Sequence, residues 1–161
     1  MSFKIIDNYL NKDDHLLLKT TMESNNFPWF FNNFKIKKGE NKLFSYQFVH
    51  IFYINDNINS DYFERLEPLL KKINYKSLIR IKANLNPISN QLIEFDEHTD
   101  QEFKCKSAIY YVNNNNGFTI IDNKKIESKK NRIVFFDSQI KHYGTNSTNC
   151  NNRMVINFNY F

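Results

Sequence analysis

The sequence predicts one mainly β domain of α+β type, a sandwich or barrel with helices packed on one side. Three observations carry this: apolar residues recur with period two in six short runs, two segments have helical spacing, and no linker, repeat or composition break divides the chain. With 161 residues, 41% of them hydrophobic, the chain can bury a core of one domain's size.

From Asp13 to Ser24, Leu16, Leu17, Leu18 and Met22 sit among polar residues, which predicts a short helix capped by Asn11 or Asp13. His15 on it is expected to be exposed. The next run alternates: Phe44, Tyr46, Phe48, His50 and Phe52 against Leu43, Ser45, Gln47, Val49 and Ile51. Aromatic and β-branched residues in that pattern predict a strand. His50 within it reads as a core histidine with its hydrogen bonds met.

A second helix is expected to start near Ser60, with Asp61 and Glu64 in capping-box spacing. Phe63, Leu66, Leu69, Leu70 and Ile73 share one face, and Pro68 implies a kink or a later start. Strands follow at Leu78 to Leu85, Ser107 to Val112, Phe118 to Ile121, Ile133 to Phe136 and Arg153 to Tyr160. They are separated by turn chemistry at Asn113 to Gly117, Asp122-Asn123, Asp137-Ser138 and Asn146 to Asn152, the first of these read as a hairpin.

Composition excludes several classes. No apolar run nears the roughly 20 residues of a membrane span. Met1-Ser2-Phe3-Lys4-Ile5-Ile6-Asp7 is broken by charge before a signal-peptide core could form, so the expected setting is cytoplasmic, without a membrane partner. The net charge of +5 is spread among acids and falls short of a nucleic-acid signature. Cys105 and Cys150 lack metal or redox spacing and read as reduced thiols. The 26 Asn and 16 Phe, against 3 Gly, follow an AT-rich codon skew, so most Asn call for no functional account.

Chemistry concentrates in few residues. Only four histidines are present. In His98-Thr99-Asp100, an imidazole and a carboxylate two apart project to one side of an extended segment. Alone, this is equally a solvated turn after Glu94-Phe95-Asp96-Glu97. His142, after a β run and a turn, supplies a second imidazole. Two histidines and one carboxylate on one side of an ion make the facial triad of non-heme iron oxygenases. Arg153 opens a strand in which Arg153, Val155, Asn157 and Asn159 share one face. In a barrel its fork would point into the mouth and suit a carboxylate.

These residues, in the order His-x-Asp, distal His, Arg, resemble the Fe(II)- and 2-oxoglutarate-dependent dioxygenases, in particular small prolyl-4-hydroxylase-like members of phages and bacteria. Ala108 to Asn113, Asn131 to Ser138 and Asn152 to Tyr160 are similar to family strands around the ligands. The likeness covers about residues 78 to 161, and Phe27-Pro28-Trp29-Phe30 is similar to the same phage members. The resemblance implies one domain over 1–161, a double-stranded β-helix or jelly roll, its core at about 78–161 and its N-terminal helices and strands (1–77) in support.

The resemblance further implies iron on His98, Asp100 and His142, and 2-oxoglutarate held by Arg153 and Tyr111. O2 would be consumed, succinate and CO2 released, and ascorbate would stimulate. Because Asp100 stands where related halogenases have a small residue, hydroxylation is the implied outcome. One departure touches the substrate. Prolyl hydroxylases often carry a tyrosine before the proline upstream of His-x-Asp, and Asn86 precedes Pro87 here. Arg80, Lys82, Asn84 and Asn86 alternate onto one face. Asn84 and Asn86 are taken as cosubstrate-pocket residues, with solvated strand positions as the alternative.

A peptide or small-molecule substrate is expected. Nucleobase oxidation, which would need a basic rim, and a non-catalytic metal-binding jelly roll are the competing readings, and oligomeric state stays open. Trp29 reads as core. Tyr46, Tyr53 and Phe118 are open between pocket and packing.

Overall fold

The computed structural model describes residues 3–33 and 46–161, so the expected strand start at Leu43, Phe44 and Ser45, like Met1 and Ser2, lies outside the described residues. Along the chain come β1 (Phe3–Ile6), α1 (Lys12–Glu23), β2 (Phe30–Asn32), β3 (Gln47–Ile54) and β4 (Asn57–Ile58). A 3₁₀ turn (Phe63–Leu66) leads into α2 (Glu67–Leu70). Then follow β5 (Leu78–Pro87), β6 (Lys106–Tyr111), β7 (Phe118–Ile121), β8 (Lys124–Glu127), β9 (Arg132–Asp137), β10 (His142–Gly144) and β11 (Asn152–Tyr160).

All strand pairs between these elements are antiparallel and fall into two sheets. The larger runs β1-β9-β6-β11-β5-β3-β2, with β4 on β3; the smaller runs β10-β7-β8. The period-two pattern of the sequence becomes two apolar faces on the large sheet. One face, with Ala108, Tyr110, Ile156 and Phe158, packs against Leu18 and Met22 of α1 and Leu66, Leu69 and Ile73. The opposite face, with Ile109, Tyr111, Val134 and Val155, meets Ile121 and Ile126 of the small sheet. This is the jelly roll with helices on one sheet that the sequence leads one to expect.

Three expectations need correction. His15 is buried, 8% exposed, because it shares the inward stripe of α1 with Leu18 and Met22, and its Nδ1 lies 2.7 Å from the Tyr110 hydroxyl. The second helix does not start near Ser60: Phe63–Leu66 is 3₁₀ without a side-chain cap, and α2 begins around Pro68, whose missing N–H costs nothing in a first turn. Asn113 to Gly117 is not a hairpin, since β6 and β7 belong to different sheets. Tight hairpins are instead made by Asp122-Asn123 between β7 and β8 and by Asn55-Asp56 between β3 and β4, all four residues at positive φ.

Other readings hold. Asn11 caps α1 by accepting from the Asp14 N–H. His50 is 3% exposed, with its two ring nitrogens 2.8 Å from the Pro28 carbonyl and 2.7 Å from Ser60 Oγ. Trp29 packs on the core and donates to the Met22 carbonyl. Both cysteines are free thiols.

Asn131 fastens the N-terminal segment to the sheet. Its Oδ1 accepts from Leu10 N and the Tyr110 hydroxyl, while its Nδ2 donates to the Leu10 carbonyl. It also stands at φ 59°. Asn131→Ala orphans the Leu10 N–H and carbonyl, leaves the Tyr110 hydroxyl with His15 alone and strains the backbone, so it should cost about 2–4 kcal/mol in urea unfolding.

The buried histidines give stability a pH dependence. Burial holds both His15 and His50 below the ordinary imidazole pKa. Below about pH 6.5 the unfolded chain therefore binds more protons than the folded one, and stability rises with pH. It should be fully present above about pH 6.5 and fall below it by at most ~1.4 kcal/mol per pH unit per histidine. Urea midpoints at pH 7.5 and 5.5 check this, and His50→Gln should flatten the slope.

Candidate metal centre and anion pocket

The two histidines of the proposed triad are brought together by backbone before side chains act. His98 and His142 form an isolated antiparallel bridge, N–H to carbonyl both ways at 3.0 and 2.9 Å. Asp100 is tied to the same place by its N–H to the Ser138 carbonyl, 3.0 Å. The ligand-capable atoms of His98, Asp100 and His142 all lie within 4.8 Å of one another. His98 is exposed and His142 is buried, so the trio opens toward solvent on one side.

Each imidazole is oriented by a carbonyl. His98 Nδ1 is 3.0 Å from the Asp96 carbonyl and His142 Nδ1 2.9 Å from that of Ile140. A carbonyl can only accept, so both Nδ1 atoms carry the proton and both Nε2 lone pairs are left for a cation. Burial keeps His142 below its usual pKa, with His98 acting in the same direction and Asp100 opposing, which favours the neutral, ligating form.

The carboxylate is braced from the other side. Asp100 Oδ2 accepts from Ser107 Oγ at 2.5 Å and Asn159 Nδ2 at 3.0 Å, and Arg80 Nε donates to Asn159 Oδ1 at 3.2 Å. Oδ1 remains toward His142 Nε2, 3.7 Å away, and Arg80 Nη2, 3.6 Å away. Burial pulls the Asp100 pKa upward, but His142 and the hydrogen bonds from Ser107 and Asn159 outweigh it, and the acid stays below its ordinary value. Sequence reasoning placed Asn159 on this face but missed Ser107. Parity alone puts Ser107 on the face of Ile109 and Tyr111 on β6 but does not mark it as functional.

Arg153 enters the same pocket, about 320 Å³ in volume, as the trio. Its side chain is 3% exposed. Nε donates to Ser128 Oγ at 2.8 Å and Nη2 to Thr119 Oγ1 at 2.9 Å. All these acceptors are neutral, and no carboxylate pairs with the guanidinium among the described residues. A buried cation in that state is costly unless an anion arrives. Gly117 leaves the space it occupies: a Cβ there would stand 2.6 Å from Arg153 Cδ.

Tyr111 lies beside Arg153, whose guanidinium carbon is 5.8 Å from its ring centroid. Its hydroxyl is enclosed, with the Thr119 side chain beside it. Asn84 and Asn86 are buried pocket-lining residues, which removes the solvated-strand alternative. Tyr46, Tyr53 and Phe118 do not line this pocket, whereas Arg80, Lys82 and Asn157 do.

No protein-family model matches the chain, and no curated protein matches it by sequence. Solved structures do match its fold. A prolyl hydroxylase from Trichoplax adhaerens, in complex with a hypoxia inducible factor oxygen degradation domain peptide fragment, aligns with TM-score 0.69 at 18% identity, over 99% of this chain and 83% of that one. A Pseudomonas putida prolyl-4-hydroxylase aligns with TM-score 0.63 at 12% identity, over 99% and 92%. An oxidoreductase of the 2OG-Fe(II) oxygenase family from Burkholderia pseudomallei aligns with TM-score 0.66 at 7% identity, over 99% and 84%. The chain has the fold of these oxygenases along nearly its whole length.

Proposed function

We propose that this chain is an Fe(II)- and 2-oxoglutarate-dependent dioxygenase that hydroxylates its substrate. One observation carries the reading: a His-Asp-His trio open on one side and a buried guanidinium without an acid partner line the same pocket. Three protein ligands leave positions for cosubstrate and O2, unlike a closed structural site.

The residues fit the implied groups. His98 and His142 would hold the metal through Nε2 and Asp100 through Oδ1, the atoms that their hydrogen bonds leave unused. Bound Fe(II) would supply O2 activation coupled to decarboxylation of 2-oxoglutarate to succinate and CO2. The protein's own work is positional. Ser107, Asn159 and Arg80 keep the carboxylate turned. Arg153 offers its charge, and Tyr111 its enclosed hydroxyl, to the 5-carboxylate, while Asn84 and Asn86 complete the cosubstrate wall.

A peptidyl proline is one substrate that the peptide-bound relative supports, and a small molecule fits the pocket volume, at the lower end of the range for ligand sites. The test is succinate release by purified protein given Fe(II), 2-oxoglutarate and ascorbate, with and without peptide and small-molecule panels. Metal-dependent succinate is expected. Metal-loaded protein that shows no affinity for 2-oxoglutarate would sink the proposal in favour of a binding module.

A further inference from the structure

The pocket contains a second polar patch whose bonding capacity is unused. Lys82 on β5 stands directly opposite Asn157 on β11, and Asn84 follows on the same face. Among the described residues, the Lys82 ammonium makes no hydrogen bond and no ion pair. The side-chain oxygens of Asn84 and Asn157 are enclosed without a partner. Of the two acids of the pocket, Asp100 attracts the ammonium but is taken up by Ser107, Asn159 and Arg80, and Asp96, which has a partner of its own, forms no ion pair with Lys82 among the described residues.

An ammonium in this setting is costly. Burial pushes the Lys82 pKa down to about 8, with Arg80 acting in the same direction against Asp100. An arriving anion would repair this. Arg153 is a separate anion position, since the four residues from it to Asn157 along β11 cover roughly 13 Å. With Arg153 assigned to the cosubstrate, Lys82 is left for the other molecule in the pocket. A single ammonium beside unpartnered amide oxygens suits a monoanion that also carries a hydrogen-bond donor.

We infer that Lys82 forms a carboxylate subsite for the substrate, with Asn157 Oδ1 as acceptor for a donor on the same molecule, so that the molecule oxidised is a small one bearing a free carboxylate, in place of a neutral residue within a peptide. The inference rests on the dioxygenase reading. It assigns specificity to a residue outside the trio and outside the Arg153 anchor, and it agrees with the absence of a tyrosine at Asn86, where the prolyl-type pattern is broken.

The test uses Mn(II)-loaded protein with saturating 2-oxoglutarate under nitrogen, with acetate and its neutral counterpart acetamide as probes. Paramagnetic relaxation of the methyl protons reports a probe held near the metal. Acetate relaxation should exceed that of acetamide about tenfold in the wild type, persist in Lys82→Arg and vanish in Lys82→Met, with 2-oxoglutarate affinity in Lys82→Met within about twofold of wild type. Equal relaxation of the two probes, or an acetate signal surviving in Lys82→Met, overturns the subsite. Loss of 2-oxoglutarate affinity in Lys82→Met also overturns it, by moving Lys82 to the cosubstrate. Failure of the wild type to bind 2-oxoglutarate, read before any probe is added, removes the dioxygenase reading and this one with it.

Discussion

His98→Ala should abolish metal-dependent succinate formation while leaving the fold intact. The side chain is exposed, its hydrogen bond to the Asp96 carbonyl is local, and the bridge to His142 runs through backbone atoms that alanine keeps. Stability should therefore shift by no more than about 0.5 kcal/mol, as for other surface changes. Metal affinity is another matter. Loss of supporting residues around a metal commonly costs about 10–100-fold, and loss of a ligand should exceed that. Calorimetric titration with Mn(II), beside thermal melts of the apo protein, separates the two effects. Mn(II) affinity within tenfold of wild type would remove His98 from the centre.

Arg153→Met should produce the second large effect, in two opposite directions. Binding of 2-oxoglutarate should weaken about a hundredfold or more, because the carboxylate loses a buried, charge-assisted partner. The apo protein should lose little stability, or gain some, since the substitution removes a buried cation whose partners are Ser128, Thr119 and the Phe118 carbonyl, all neutral. Arg153→Lys should fall between, keeping charge without the fork. The checks are 2-oxoglutarate titration of the metal-loaded variants and urea unfolding of the apo forms. A variant that binds 2-oxoglutarate as wild type does would refute the assignment. Marked destabilisation of the apo form would mean that the guanidinium serves the fold.

The trio and Arg153 were legible because strand parity is strict. Once Arg153 to Tyr160 reads as a strand, Arg153, Val155, Asn157 and Asn159 must share a face, and in the structure these four do line or brace the pocket. Parity says nothing about which sheet a strand joins, which is why Asn113 to Gly117 looked like a hairpin. It is also weak for short elements: β1, β2, β4, β8 and β10 have two to four residues each, and their partners set them more than their composition does. His15 was misread because three consecutive leucines blur the inward stripe of α1. Leu16 and Leu17 are half exposed, and the histidine takes the inward place. Ser107 went unnoticed because a serine in a strand carries no signal until the carboxylate that it serves is known.

The placement of β11 has a consequence for how the chain is made. It lies between β5 and β6, both of which precede it in the sequence, and it pairs with each along most of its length. A nascent chain emerging from the ribosome therefore carries two unsatisfied strand edges across an open slot until residues 152–160 are synthesised. The same segment delivers Arg153 and Asn159. Pairings so distant in sequence form slowly, and open edges invite association between chains. Translational pausing before residue 152 should leave a species that is both inactive and prone to aggregate, so yield in the cell should depend on chaperone capacity more than the stability of the finished domain suggests.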